Sequence, residues 1–374
     1  MVVNVDADVG IVGAGIAGLT AANTLTAAGF TVEVLERAPR LRVTGAGVML
    51  HPNGSLLLAR YVPGFARLGL PISEQVITDP DGHRTVVRWD EVWHGGERPL
   101  AVHRRAMAEA LLEQLPDGTV RWDQTLDQLT EGDDAVGIRA EDGSARRYRI
   151  LIGADGVSSR TRELLGIPGH QEALGTTYWR TTVPLPARHV GSRWRVWRAG
   201  SRFFGLMPIG RGRAHVFVQD AARRAGLDPA AELVHLAREM AGEVPEILRG
   251  LEFDEPVYRT SAVVTSAVCW TSGRIALIGD AVHAVAPATT QGAALAVEDA
   301  VVLAAELRTH GLHPRGLTAF AERRQGRVTA FVRRARLHAR LIPVLHRENP
   351  GYRGDSTEAS GWFRRLYEPL MAPP

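Results

Sequence analysis

Apolar residues along the chain keep changing rhythm, and each rhythm predicts a different element. Val9 to Val12 is a short unbroken apolar run suited to a buried parallel strand, and Ile16 to Ala28 then carries apolar residues at helical spacing. A second apolar run, Thr31 to Leu35, closes a strand–helix–strand opening. From Pro71 to Arg98 the chain is more polar, and Asp79-Pro80-Asp81-Gly82 marks a turn between two short strands. Helical periodicity returns over Arg104 to Leu115. Short alternating strands follow from Val120 to Ile152, with turns at Glu131-Gly132-Asp133-Asp134 and Glu141-Asp142-Gly143. Gly175 to Ser266 is strand-like and rich in Trp, Phe and Val, broken by a helical segment from Pro229 to Met240. The last third is mainly helix, and no internal repeat occurs.

The join between the first strand and helix is Gly13-Ala14-Gly15-Ile16-Ala17-Gly18. Gly13 permits a tight turn, Gly15 lets backbone N–H groups approach a pyrophosphate at the helix N-terminus, and Gly18 lets helix and strand pack closely. Glu36 ends the second strand about 20 residues on, where an acid binds a ribose hydroxyl. Its carboxylate would repel a 2′-phosphate, so FAD or NAD is favoured over NADP. The expected fold is therefore α/β: a Rossmann-like dinucleotide domain made of residues 1–70, 99–174 and 267–340. A mainly β-sheet substrate domain, 71–98 and 175–266, is interleaved with it, and a helical tail occupies 341–374. Val9 to Val32 contains no charge and could span a bilayer by length, but Gly13, Gly15, Gly18, Gly29, Asn23 and several threonines make it too polar. Asp6 and Asp8 stand where a secretion signal would need positive charge. A cytoplasmic protein without a membrane span is expected.

Composition narrows the chemistry. At 374 residues the chain suits about two domains. All 44 basic residues are arginine, which excludes reactions that need a lysine amine. Arginine also explains a pI near 9.4 beside a net charge of only +3. The arginines are scattered, which argues against a nucleic-acid partner; the cluster from Arg323 to Arg340 has the helical spacing of a solvated face. Cys269, the single cysteine, lies in the apolar segment Ala267 to Trp270 and is expected to be a buried inert thiol. The 13 histidines show no metal-ligand spacing, so no metal is expected, and His310 and His313 read as loop residues.

Two further motifs follow strands. Ile150 to Gly153 leads into Ala154-Asp155-Gly156 and a helix from Ser159 to Leu165, with Ser158 or Ser159 as N-cap. Arg274 to Ile278 leads into Gly279-Asp280-Ala281, which puts Asp280 at the carboxyl end of a strand, where ligands bind in open α/β sheets. Pro287, Gln291 and Gly292 then enter a helix, Gly292 to Leu307, whose N-terminal N–H groups favour negative charge.

This ordered set resembles the class A, single-component FAD-dependent aromatic monooxygenases of the para-hydroxybenzoate hydroxylase fold, in the branch with salicylate and urate hydroxylases. The resemblance runs from about residue 7 to 340. It implies FAD contacts at Gly13, Gly15, Ala17, Gly18, Glu36 and Arg37. Asp155 and Arg162 match the family's DG motif, and Asp280, Pro287, Gly292 and Ala293 its GD motif, whose aspartate binds the ribityl chain. Arg104, at the head of a helix, matches an arginine beside the flavin. Gly45-Ala46-Gly47-Val48 resembles the loop against the ring, and Leu126 falls where backbone groups hold adenine. Thr290 stands in place of a frequent glycine and Ala294 in place of a frequent asparagine, which is expected to narrow the space beside the flavin and to remove an amide.

The implied reaction uses NADH or NADPH as a transient co-substrate, since only one full dinucleotide motif exists, and dioxygen through a flavin C4a-hydroperoxide. The implied partner is a small electron-rich aromatic or polyketide-like molecule, and the protein is expected to be a monomer or homodimer. A reductase, desaturase or epoxidase of the same fold, or a non-enzymatic FAD-binding protein, would carry the same motifs. The substrate is expected between flavin and sheet, near Trp179, Phe203, Phe204, Met207, His215, Phe217 and Pro287. Alternation puts His215 and Phe217 on one face. The ordinary histidine pKa of about 6.5 suits His215 to polarise or deprotonate a phenol.

Overall fold

A computed structural model of the protein describes residues 4–42, 46–185, 189, 191–221, 228–240, 242–348 and 356–374, with side chains left aside between 337 and 357. Three sheets organise the chain. The first has eight strands and follows the order Thr271–Ser272, Ile275–Leu277, Ala145–Gly153, Ala7–Val12, Val32–Leu35, Val120–Arg121, with Leu126–Glu131 and Val136–Ala140 as an antiparallel extension. Val9 pairs in parallel with Ile150 on one side and Val32 on the other. A strand flanked on both sides and covered on both faces must be apolar throughout, which is why this run does not alternate. The helix Ile16–Ala27 packs over this sheet beside the helix Gly292–His310. The uncharged stretch from Val9 to Val32 is thus a buried strand, helix and strand. No helix among the described residues is long and apolar enough to cross a membrane.

The second sheet has seven strands in the order Tyr258–Ala267, Gly169–Pro184, Arg213–Asp220, Arg202–Gly210, Arg193–Ala199, Glu74–Thr78, Arg84–Arg88. Its register sorts the side chains. Trp179 lies opposite Val218, Val218 opposite Phe204, and Phe204 opposite Trp197. These residues form one face, buried against the helices Pro229–Arg238 and Val244–Arg249. Arg180, Phe217, Gly205 and Val196 are likewise in register and form the other face. That second face turns toward the nucleotide-binding part of the molecule, because Val196, Met207 and Ile209 belong to its core. A small third sheet, Gly47–Leu50, Leu100–His103 and Gly69–Pro71, packs against the strands Arg202–Gly210 and Arg213–Asp220 of the second and touches the helix Gly292–His310.

Two expectations change. Cys269 is exposed rather than buried, because it sits in the turn after the strand Tyr258–Ala267, where neighbouring Val268 is also 66 % exposed. The helix Pro314–Glu348 runs through residue 340 without a break, so the tail begins beyond it. The following helix, Ser356–Tyr367, folds back onto the core and buries Leu366 and Tyr367.

Candidate active site in the crevice between the sheets

The turn after Val12 leaves no room for side chains except where a ligand would lie. Gly13 has φ +104°, and a Cβ there would sit 2.7 Å from the Ala154 carbonyl oxygen. A Cβ on Gly18 would sit 1.8 Å from the Gly13 carbonyl oxygen. Gly15 differs: a Cβ there would meet nothing within 4 Å, and the helix it caps has no side-chain cap. An uncapped helix N-terminus facing open space suits a pyrophosphate. Glu36 accepts hydrogen bonds from the Ala14 N–H at 2.8 Å and the Ala38 N–H at 3.0 Å, which aims its carboxylate along the same edge and leaves acceptor capacity for a ribose. Arg37 beside it is exposed, and Leu126 is buried in a strand that pairs with Ala140. Ala17 approaches Gly279, where a Cβ would lie 3.0 Å from its methyl, so the first and third motifs touch.

Asp155 and Arg162, expected at the flavin, make hydrogen bonds to neighbouring protein groups. The Asp155 carboxylate accepts from Ser159 Oγ at 2.5 Å and from the Thr161 N–H and hydroxyl at 2.8 and 3.0 Å, fixing the start of the helix Arg160–Leu164. Ser159 is the N-cap, accepting from the Arg162 N–H. The Arg162 guanidinium donates to the carbonyls of Ala281 at 2.5 Å and Val157 at 2.9 Å, tying the second motif to the third.

Beneath the third motif lies a buried ion network. The Gly279 N–H donates to Asp299 Oδ2 at 2.9 Å, and His283 Nε2 lies 2.5 Å from the same oxygen. Arg324 Nε meets Asp299 Oδ1 at 2.8 Å while its Nη1 pairs with Glu298. Glu298 also takes two 2.9 Å bonds from Arg327 and one from Asn53 at 2.8 Å. Arg324, Glu298 and Asp299 have no exposed side-chain surface. Burial opposes ionisation of Asp299, but the charges of His283 and Arg324 and the bonds from His283 and Gly279 outweigh it, and its pKa falls to about 2. The fixed turn leaves the side chain of Asp280 exposed at the strand end.

Asp280 faces Arg104 across the crevice. The Arg104 guanidinium is open to solvent yet surrounded closely enough that desolvation lowers its pKa, opposed by the charge of Asp280. The neighbouring His103 caps the same helix by accepting from the Arg105 N–H. Gly47 begins the strand against the seven-stranded sheet; a Cβ there would lie 2.6 Å from His215 Cβ, and Val48 beside it is partly exposed. Gly45 lies outside the described residues. The helix Gly292–His310 opens with Gly292 and Ala293, both partly exposed, close to Asp280: a Cβ on Gly292 would lie 3.8 Å from its carboxylate.

The sheet face across the crevice carries Phe203, Met207, His215 and Phe217 together, as their register pairs require. Phe217 lies flat across Gly205, where a Cβ would stand 1.9 Å from the ring, and reaches Trp194 at 6.3 Å between ring centroids. Trp179 does not belong to this wall. It is on the opposite face, where its indole N–H donates to Glu232 at 2.5 Å, because the alternation of its strand points Arg180 and Tyr178 into the crevice. Phe204 is excluded for the same reason. His215 also departs from expectation. Burial, with the charge of Arg180 adding to it, lowers its pKa to about 3 despite a bond at Thr181. Its Nδ1 lies 3.2 Å from the Thr181 carbonyl, so Nδ1 carries the proton and Nε2 is an acceptor. A neutral imidazole of this kind accepts a hydrogen bond; it does not serve as a base near neutral pH.

The loop Pro287–Thr290 is braced from behind. Thr290 is left-handed at φ +51°, a conformation that favours glycine. Its hydroxyl donates to the Thr289 carbonyl at 2.8 Å and accepts from His51 Nε2 at 2.7 Å, while His51 Nδ1 accepts from the Trp93 indole at 3.2 Å. His51 is fully buried and burial lowers its pKa to about 3, which keeps it neutral as this chain of donors requires. Tyr367 completes the brace by donating to the Thr289 carbonyl at 3.0 Å. The Thr290 hydroxyl thus points to His51 rather than narrowing the crevice. Ala294, fully buried, packs against Gly54, where a Cβ would lie 2.7 Å from Ala294 Cα; a larger residue at 294 would part these helices. Arg180, His51, Asn53 and Arg324 were not singled out from the sequence.

Comparison with known proteins agrees with this geometry. A family profile described as an FAD binding domain matches residues 6–335. The 2-heptyl-3-hydroxy-4(1H)-quinolone synthase of Pseudomonas aeruginosa is 29 % identical over 335 residues, 87 % of this chain and 86 % of its own. The FAD-dependent urate hydroxylase of Klebsiella pneumoniae is 28 % identical over 370 residues, covering 96 % and 94 %. The crystal structure of Klebsiella pneumoniae HpxO with FAD and uric acid superposes with a TM-score of 0.80 at 26 % identity, covering 96 % of this chain and 92 % of that one. The chain belongs to the FAD binding domain family, among its class A flavin-dependent aromatic monooxygenases.

Proposed function

We propose that this protein hydroxylates a small electron-rich aromatic molecule, using dioxygen and NADH or NADPH. The observation that supports the reading is a linked set of groups: Arg180 acts electrostatically on His215, which shares its sheet face with Phe217, Trp194 and Met207, and on Arg104, Arg104 on Asp280, and a Cβ on Gly292 would lie 3.8 Å from the Asp280 carboxylate. The chemistry that FAD supplies when bound is acceptance of hydride from the nicotinamide and activation of dioxygen. The chain's own residues bind, orient and exclude water. Gly13, Gly15, Gly18 and Glu36 would hold the pyrophosphate and ribose, and Asp280 with Arg104 the ribityl side. The N-terminus of the helix Gly292–His310 favours negative charge that develops beside it. Aromatic rings on the sheet face cover the substrate and keep water from the reacting ring. His215 Nε2 would accept a hydrogen bond from a ring hydroxyl and so orient it, raising electron density where oxygen is received.

The similarity to proteins named for a quinolone and for urate supports a planar, oxygenated ring as the substrate class. The test is NADH and NADPH oxidation by the purified yellow protein across hydroxyquinolines, phenols and oxopurines, under oxygen-18 gas, with product mass. A product heavier by one atom drawn from the gas is expected. Substrate-stimulated oxidation that yields only peroxide with every compound would overturn the reading.

A further inference from the structure

Arg180, Phe217, Gly205 and Val196 follow one another in register across four neighbouring strands, on the sheet face that carries His215. Much of that face is covered. His215, Met207, Trp194 and Val196 are buried, and over His215 the third sheet comes so close that a Cβ on Gly47 would lie 2.6 Å from its Cβ. Phe217 stays partly exposed. Side chains on a strand ordinarily stand out from the sheet. The ring of Phe217 instead leans onto the next strand: a Cβ on Gly205 would fall 1.9 Å from its Cε1, 2.4 Å from its Cζ and 2.6 Å from its Cγ-bonded Cδ1. Those are the three nearest atoms, so the edge of the ring occupies the place of the missing side chain. The backbone does not ask for glycine there, because Gly205 is not among the residues with positive φ. A ring laid over a strand takes up about one van der Waals layer of ~3.5–4.0 Å, whereas a ring that stands out fills the space in front of the sheet.

We propose that Gly205 is a specificity-determining residue of the substrate site: it gives the Phe217 ring a bed, and so keeps room in front of the sheet for one planar ring system. Gly205 touches no substrate and acts through Phe217, which makes it a positioning residue. An alanine there lifts the ring into the space that the substrate takes. The inference rests on the aromatic substrate reading and deepens it by naming the position that admits a flat molecule. An aromatic ring that covers a cross-strand glycine for the sake of the sheet alone makes the same contact. Ligand binding, which that purely structural pairing would not govern, separates the two.

The test is a double-mutant cycle read by calorimetric titration of the FAD-loaded protein with 2-naphthol, a planar phenol of two fused rings. Gly205→Ala is expected to weaken binding about 5- to 100-fold, the range for forcing one methyl into a filled space. Phe217→Ala is expected to weaken it about 2- to 10-fold, the range for one lost ring contact. The variant with both changes is expected to bind as Phe217→Ala does, since the methyl then displaces nothing; independent effects would multiply. Flavin content is expected to match wild type in all three. If Gly205→Ala does not fold, the double variant against Phe217→Ala decides: equal binding supports the proposal, and weaker binding or a second failure to fold overturns it. Wild type that does not bind 2-naphthol overturns it, as does a Gly205→Ala protein that binds like wild type or that folds but loses FAD. So does a pair of effects that multiply. Failure of oxygen transfer with this binding pattern intact would count against the monooxygenase reading alone.

Discussion

Replacing Arg324 by methionine tests whether the ion network beneath Gly279 holds the cofactor turn. The substitution keeps most of the side-chain volume but removes a cation with no exposed surface, leaving Glu298 and Asp299 without it. Removing one partner of a buried pair typically costs about 3–5 kcal/mol. The lower end applies, because Glu298 retains Arg327 and Asn53, and Asp299 retains His283 and the Gly279 N–H. A loss of about 3 kcal/mol corresponds to a fall in Tm of roughly 4 °C for a chain of this length, at about 2.1 cal/mol/K of unfolding entropy per residue. Thermal unfolding of the FAD-loaded protein, followed by circular dichroism and flavin fluorescence, measures it, and flavin release is expected to come earlier than in the wild type. The pH dependence has a definite sign. The Asp299 carboxyl is held at about 2 in the fold, so its contribution is complete above the unfolded value of about 4 and is lost as pH falls toward 2. The gap between wild type and variant should therefore stay level from about pH 5 to 8 and shrink below about pH 4. A Tm within about 2 °C of wild type at neutral pH, or a gap that widens on acidification, would refute the reasoning.

Gly18→Ala forces a methyl to within 1.8 Å of the Gly13 carbonyl and should yield folded protein with little bound FAD, read from the ratio of flavin to protein absorbance. Normal flavin content would sink the assignment of that turn. His215→Gln should lower turnover without moving the pH profile of kcat/KM between about pH 6 and 8, since a group with a pKa near 3 does not titrate there; an inflection near neutrality that the variant abolishes would restore His215 as a base. His51 and His215 are both held neutral by burial, near 3, against an unfolded value of about 6.5, so stability should be full above about pH 6.5 and fall on acidification by up to about 3 kcal/mol per pH unit for the pair. His51→Gln should halve that slope in denaturant titrations across pH, and an unchanged slope would contradict it. Tyr367→Phe removes the bond to the Thr289 carbonyl and should cost about 1 kcal/mol, with a weaker flavin environment visible in fluorescence; no change in either would show that the tail does not brace the loop.

Much of the cofactor half was legible because its signals are local. Gly13 takes a positive φ, Gly18 closes on the Gly13 carbonyl five residues away, Gly15 leaves open space at the helix start, and Glu36 follows at the end of the next strand, so local spacing carried the pattern. Asp280 could be placed at a strand end for the same reason. The roles of Asp155 and Arg162 were harder, since a short motif does not say whether its polar atoms face a ligand or the neighbouring turn; here they face Ser159, Thr161 and the Ala281 carbonyl. Cys269 shows the limit of reading burial from apolar neighbours, for Ala267 and Trp270 are buried while the turn between them is not.

Alternation along one strand tells which residues share a face, and so His215 and Phe217 were grouped correctly by sequence. Which face of the next strand matches them depends on register, a one-residue question that no local pattern answers. Trp179 and Arg180 are both large and both sit in an apolar strand; only the pairing of Arg180 with Phe217 decides that the arginine looks into the crevice and the tryptophan into the helices behind. The same holds for the contacts that brace the site, His51 with Thr290 and Arg324 with Asp299, whose partners are 239 and 25 residues apart. The sequence by itself determined the dinucleotide-binding turn, because backbone sterics and helix ends act over a few residues, and its ordered motifs carried the resemblance that gave the cofactor and the reaction class. Only the tertiary structure decided which side chains share the sheet face with His215 and how burial and charge shift that histidine, because register, burial and facing charge are set by residues distant along the chain.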